Sequence, residues 1–189
     1  MKALTIIEAI YYILRKIKEA DKIKIIKLLY LADKYHAIHY GRTITDDDYY
    51  VMEYGPVGLK TTDILSLSTL NLLDKELDYA LQLFGPVGKY TFKVNELQEN
   101  NFEFDMLSET DIEALDFVID KFGCRSTLDI TEYTHQYPEW QQQKNSLSNG
   151  NGRKKIDTLD LFSLIKDDLL GMPKEHVQES INIFTGLGD

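Results

Sequence analysis

Residues 25–41 read Ile25-Ile26-Lys27-Leu28-Leu29-Tyr30-Leu31-Ala32-Asp33-Lys34-Tyr35-His36-Ala37-Ile38-His39-Tyr40-Gly41. Ile25, Ile26, Leu28, Leu29, Ala32 and Tyr35 recur at helical intervals, while Lys24, Lys27 and Lys34 fall on the opposite side. The pattern predicts an amphipathic helix, and Gly41 suits a left-handed cap that ends it.

Upstream, Ile6, Ile7, Ile10, Ile13, Leu14 and Ile17 share another helical face, and Thr5 with Glu8 has the form of a capping box. Downstream, residues 42–53 lose periodicity. Tyr49-Tyr50-Val51-Met52 fits either a short extended segment or an irregular helix. Gly55-Pro56 then permits a turn, with Pro56 placed to open a helix over Val57 to Leu67. Gly-Pro-Val-Gly returns at Gly85 to Gly88 between apolar flanks, which reads as a β-hairpin. The flanks of the two tetrapeptides differ, so the repeat reflects shared turn chemistry rather than duplication.

Ser108 to Asp111 caps a helix through Leu115 and Phe122, and a shorter helix follows from Thr127 to His135. Gln141 to Lys155 is rich in Gln, Asn, Ser and Gly, the composition of a solvated loop. Asp157 is placed to cap an amphipathic helix through Leu159, Phe162, Ile165 and Leu169, and Pro173 opens a last one through Val177, Ile181 and Phe184. The expected fold is mainly α with a small antiparallel β-hairpin, a compact helical domain with a single core. Its expected organisation is a main domain over 1–140, a flexible loop over 141–155, and a C-terminal helical extension over 156–189 that packs on the main domain.

Bulk properties narrow the function. A chain of 189 residues, 43% hydrophobic, is long enough for one sizeable core. No apolar run approaches the ~20 residues of a membrane span, and the N-terminal stretch lacks the form of a secretory signal, so a cytoplasmic protein with no membrane partner is expected. Cys124 is the single cysteine, which removes intrachain disulfides and thiolate metal clusters. Net charge is −10, yet residues 1–42 carry nine Lys and Arg against four Asp and Glu, a surplus of +5 that leaves −15 elsewhere. An acidic body disfavours nucleic acid, although Arg15, Lys16, Lys18, Lys22, Lys24 and Lys27 could form a basic patch for a DNA-binding autoregulator.

Several residue sets bear on chemistry. Asp33, His36 and His39 lie along one helix, but a helix spreads them over a wide arc, so solvent-facing or internally bonded histidines are expected rather than a metal site. Asp46, Asp47 and Asp48 with Glu53 cannot easily converge on a hard cation and read as turn and helix-start charge. His135 and Glu139 flank Pro138 without a nucleophile beside them. Neither Gly-Pro-Val-Gly segment has the Gly-Lys-Ser/Thr of a phosphate loop. No catalytic residue, metal or cofactor is assigned. Twelve tyrosines, many between Tyr30 and Tyr54, serve either an interface or a tyrosine-rich core.

Three motifs in order, Lys27-Leu28-Leu29-Tyr30-Leu31-Ala32-Asp33, Tyr40-Gly41-Arg42-Thr43-Ile44 and Tyr54-Gly55-Pro56-Val57, resemble the signature of the Panacea domain, the SocA-like antitoxin family. Leu115 to Phe122, followed by Thr134-His135 and Pro138-Glu139-Trp140, resembles the family's late core, so the resemblance covers about Ile6 to Trp140. It implies a non-enzymatic antitoxin that neutralises a toxin encoded by an adjacent gene through direct protein contact, or alternatively a proteolytic adaptor for the bound toxin. Tyr30, Gly41, Gly55, Pro56, Val57 and His135 are then signature positions with structural roles. Tyr49, Tyr50, Tyr54 and Trp140 are the expected partner-binding residues.

Overall fold

The computed structural model describes residues 2–95, 102–144 and 153–187. Helix α1 (Lys2–Ile17) leads through a short strand β1 (Glu19–Asp21) into α2 (Lys22–Tyr40). Asp21 caps α2 by accepting from the Lys24 N–H at 3.0 Å, and Gly41 closes it at φ 70° with its N–H donated to the Ala37 carbonyl.

Helix α2 is buried without interruption from Ile25 to Ile38. A helix in that position is packed on every side rather than on one stripe, and here its neighbours are α1, α5 (Glu109–Phe122), α6 (Thr127–Thr134), the last helix α8 (Lys174–Thr185) and strand β3 (Gly55–Gly58). The expectation of a lysine face opposite the core is therefore overturned: Lys27 and Lys34 are both fully buried. The capping box at Thr5 is also replaced, because α1 already begins at Lys2. Glu8 instead turns into the core, accepting from the Tyr79 hydroxyl at 2.9 Å and the Met106 N–H at 3.0 Å, and burial pushes its carboxyl up.

Residues 49–52 resolve as strand β2 (Tyr49–Met52), antiparallel to β3, with Tyr49 opposite Gly58 and Met52 opposite Gly55. The turn is Glu53-Tyr54, so Pro56 lies inside a strand and does not open a helix; α3 (Leu59–Leu65) starts later. Asp47 supplies that helix's N-terminal acceptors, taking the Lys60 and Thr61 N–H groups at 2.9 Å each. After α4 (Asp74–Leu83), the second Gly-Pro segment enters β4 (Phe84–Pro86), which pairs with β5 (Thr91–Val94) in a hairpin as expected, although its upstream flank is helical. The sheets run β1-β5-β4 and β3-β2-β6, where β6 is Lys154–Lys155. Both Gly-Pro segments thus occupy edge strands, where a missing N–H breaks no ladder.

The chain after α7 (Pro138–Gln141) contributes to the same core through Ile156, Leu161, Phe162 and Leu170. Residues 158–162 form a 3₁₀ helix rather than the start of a long amphipathic one. The Asp168 carboxylate accepts from the Tyr133 hydroxyl at 2.8 Å, the Tyr137 hydroxyl at 3.0 Å and the Leu170 N–H at 2.9 Å, tying this segment to α6. Helix α8 packs on α2 so closely that a Cβ at Gly41 would lie 2.8 Å from Ile183 Cβ and from the Ser180 carbonyl. Residues 145–152 of the predicted loop lie outside the described residues.

Candidate functional site

Lys27, Tyr30 and Lys34 follow one another at intervals of three and four on α2, with Asp33 beside them, and all four are fully buried. The hairpin β2–β3 and helix α7 supply their partners. Lys27 Nζ donates to the Pro56 carbonyl at 2.8 Å. Burial alone accounts for its amine being lowered from 10.5 to about 7.

Asp33 is turned toward the segment that precedes the hairpin. Its carboxylate accepts from the Ile44 N–H at 2.8 Å, the Thr45 N–H at 2.9 Å, the Thr45 hydroxyl, and the Tyr49 hydroxyl at 2.8 Å. Burial raises this carboxyl to about 6 while the four donors act the other way.

Lys34 and Tyr30 converge on one oxygen of Glu139. Lys34 Nζ lies 3.0 Å from Oε1, the Tyr30 hydroxyl donates to the same atom, and the ammonium sits 4.1 Å from the centre of the Tyr137 ring. Burial lowers Lys34 against the pull of Glu139, and burial followed by the Glu139 charge raises the Tyr30 hydroxyl. Glu139 Oε2 and His135 Nε2 are both buried without a hydrogen-bond partner among the described residues.

Trp140 and His135 brace the hairpin turn. Their rings stack at 3.8 Å with 10° between planes, and Trp140 Nε1 donates to the Met52 carbonyl at 3.2 Å. Gly55, at φ 93°, passes so near that a Cβ there would lie 2.6 Å from Lys27 Nζ and 3.2 Å from His135 Nε2. Burial, then the Lys27 charge, depresses the His135 imidazole. Lys27, residues 52–56 and residues 135–140 therefore form one assembly around the hairpin.

The expected partner-binding residues divide by exposure. Tyr49 and Trp140 are only 4% and 8% exposed and are engaged with Asp33 and Met52, so a partner would reach them only by displacing those contacts. Tyr50 is half-buried and Tyr54, in the turn, is 60% exposed. Of the signature positions, Tyr30, Gly55, Pro56 and His135 sit in the assembly, Val57 lies opposite Tyr50, and Gly41 lies apart against α8.

The other candidate sets are dispersed. His36 meets the Arg42 carbonyl through Nδ1 at 2.8 Å and the Thr110 hydroxyl through Nε2 at 3.0 Å, whereas His39 stacks on Tyr35. Asp46 pairs with Lys2, Asp48 pairs with Lys155, and Asp47 caps α3. Among the described residues no group of three or more His, Cys, Asp or Glu could hold a metal ion. Glu139 pairs with Lys34 rather than His135. The basic set is also split: Lys16 pairs with Asp116, Lys24 reaches the Arg125 carbonyl, and Lys27 is internal. Sequence reasoning missed Lys27, Lys34 and Glu139 as a buried polar framework; for the two lysines, their place in a helix with apolar residues on both sides was the available signal.

The architecture defines a helical domain organised around two enclosed helices, α1 and α2, with an aromatic hairpin fastened over the polar side of α2. The chain belongs to the SocA-like antitoxin family, Panacea domain, whose family model matches residues 25–141, more than half of the sequence. The match begins at helix α2 and takes in the hairpin, His135 and Trp140, leaving α1 and the C-terminal segment outside it. No curated protein and no solved structure gives a significant match. No described helix is long and apolar enough to cross a membrane.

Proposed function

We propose that this protein is an antitoxin that neutralises a cognate toxin, encoded beside it and met in the cytoplasm, by direct contact and without catalysis of its own. Membership of the antitoxin family supports the role. The observation that carries the binding reading is the hairpin itself. Lys27 and Trp140 hold its backbone from below while Tyr54 stands 60% exposed at the turn and Tyr50 is half-exposed on the sheet. Aromatic side chains on a preorganised support supply contact area at low entropic cost and commonly dominate interface energetics.

The test is co-expression with the neighbouring gene product. Growth arrest by that product alone, rescue by this chain and co-purification of the two are expected. A neighbour that is harmless alone and fails to co-purify would overturn the reading.

A further inference from the structure

We infer that the outer edge of strand β6, with which no described residue pairs, receives an extended, acid-bearing segment of the toxin as an additional strand, an inference that rests on the antitoxin reading above. The hydrogen-bond phase of the sheet β3-β2-β6 carries it. Tyr49 opposes Ile156, whose N–H donates to the Tyr49 carbonyl at 2.9 Å, so Tyr49 and Ile156 form a hydrogen-bonded pair. Alternation in an antiparallel ladder makes the next pair, Tyr50 and Lys155, a non-bonded one. The Lys155 N–H and C=O therefore point away from β2, and neither makes a hydrogen bond to a described residue.

The opposite edge is closed by the same logic. The Leu59 N–H donates to the Asp48 carbonyl, which places Val51 and Pro56 in a non-bonded pair and turns Pro56 outward. Proline offers no N–H there, and its carbonyl is taken by Lys27. Among the described residues, nothing pairs with the outer edge of β6, whereas β3 is blocked to strand addition.

Charge selects the occupant. Tyr50 and Lys155, as a cross-strand pair, share the outer face of the sheet, and the Arg153 guanidinium lies 5.1 Å from the centre of the Tyr50 ring. Arg153 has no ion pair among the described residues, and Lys155 is matched only by Asp48 at 2.6 Å. An added strand would bring its outer-face side chains beside these two cations, where Asp or Glu is favoured. A groove of about 390 Å³ is lined by Lys155, Ile156, Asp157 and Thr158. The Asp157 carboxylate is engaged locally, accepting from the Leu159 N–H at 3.0 Å.

Lys155→Pro removes the outward N–H without touching the internal ladder. It should weaken the complex with the purified toxin about tenfold or more, measured per folded molecule. Lys155→Ala, which keeps the backbone donor, should bind much more tightly than Lys155→Pro, and Arg153→Glu should weaken binding. In the wild-type protein, hydrogen exchange at the Lys155 amide should slow at least about tenfold on toxin binding; this readout holds even where Lys155→Pro is poorly folded. A toxin bound with the Lys155 amide unprotected and Lys155→Pro unaffected overturns the edge proposal while leaving the antitoxin reading standing. Failure of the wild-type chain to bind the neighbouring product overturns the antitoxin reading itself.

Discussion

Lys27 and Pro56 stand 29 residues apart in the chain, and the buried lysine amine donates to the proline carbonyl at 2.8 Å. This bond joins the central helix to an edge strand whose proline removes the N–H that another strand would seek. A single contact thus fastens the hairpin and shields its edge.

Burial of that amine should leave a pH signature. The folded protein lowers the Lys27 amine from 10.5 to about 7, so between these values the unfolded chain binds more protons than the folded one. The lysine's contribution to stability therefore rises with pH from about 7 to 10.5 and is least favourable below 7. Unfolding by urea at pH 7 and pH 9.5 should show wild type gaining on Lys27→Met, by at most about 1.4 kcal/mol per pH unit. Parallel stability profiles for the two proteins would refute the assignment.

The two Gly-Pro-Val-Gly segments should respond differently to the same substitution. Gly55 has φ 93° and meets Lys27 and His135 at once, whereas a Cβ at Gly85 would find, among the described residues, only Asn95 Oδ1 at 3.9 Å. Gly55→Ala should cost about 2 kcal/mol or more from backbone strain and overpacking, and Gly85→Ala about 0.5 kcal/mol or less. Chemical denaturation of both variants checks the contrast. Equal losses would mean that the Gly55 contact does not constrain the fold.

Much of this architecture is legible in the sequence, and the exceptions share a cause. Helices α1, α2, α5, α6 and α8 and the turn of the hairpin at residues 84–94 follow from periodicity and turn chemistry, as do the caps at Gly41 and Ser108, whereas α4 occupies residues 74–83, where the apolar residues from Ala80 read as a strand flank. The errors lie where tertiary context decides. Lys27 and Lys34 look solvent-facing because helical periodicity describes one buried stripe, and α2 is enclosed by elements from both ends of the chain. Pro56 suits a helix start as well as an edge strand, and only the pairing with Tyr49–Met52 distinguishes them. The aromatic cluster from Tyr30 to Tyr54 contains both core and surface tyrosines: the Tyr30 and Tyr49 rings meet inside at 5.4 Å, while Tyr54 faces out.

The pair Lys34 and Glu139 should show strong coupling. With side chains 0% and 1% exposed and 3.0 Å between charges, loss of either partner leaves the other buried and uncompensated. Lys34→Met alone should cost about 3–5 kcal/mol, and Lys34→Met combined with Glu139→Gln should recover a large part of it. A double-mutant cycle by denaturant unfolding measures this directly. Additive losses would show that the two charges are not interacting as the structure places them.

Stability and toxin recognition should separate between two neighbouring tyrosines. Tyr49 is enclosed and donates its hydroxyl to Asp33 at 2.8 Å, so Tyr49→Phe leaves a buried carboxylate short of one donor. The expected cost is about 1–3 kcal/mol of folding stability, with toxin affinity retained in the folded fraction. Tyr54 is 60% exposed at the hairpin turn, so Tyr54→Ala should leave stability within about 0.5 kcal/mol. Its effect should fall instead on toxin affinity, by about tenfold or more if the ring anchors the interface. Thermal melts and titration calorimetry on both variants make the comparison. If Tyr54→Ala binds as tightly as wild type while Tyr49→Phe loses affinity at constant folded fraction, recognition runs through the interior of the hairpin, and the turn is a scaffold for it.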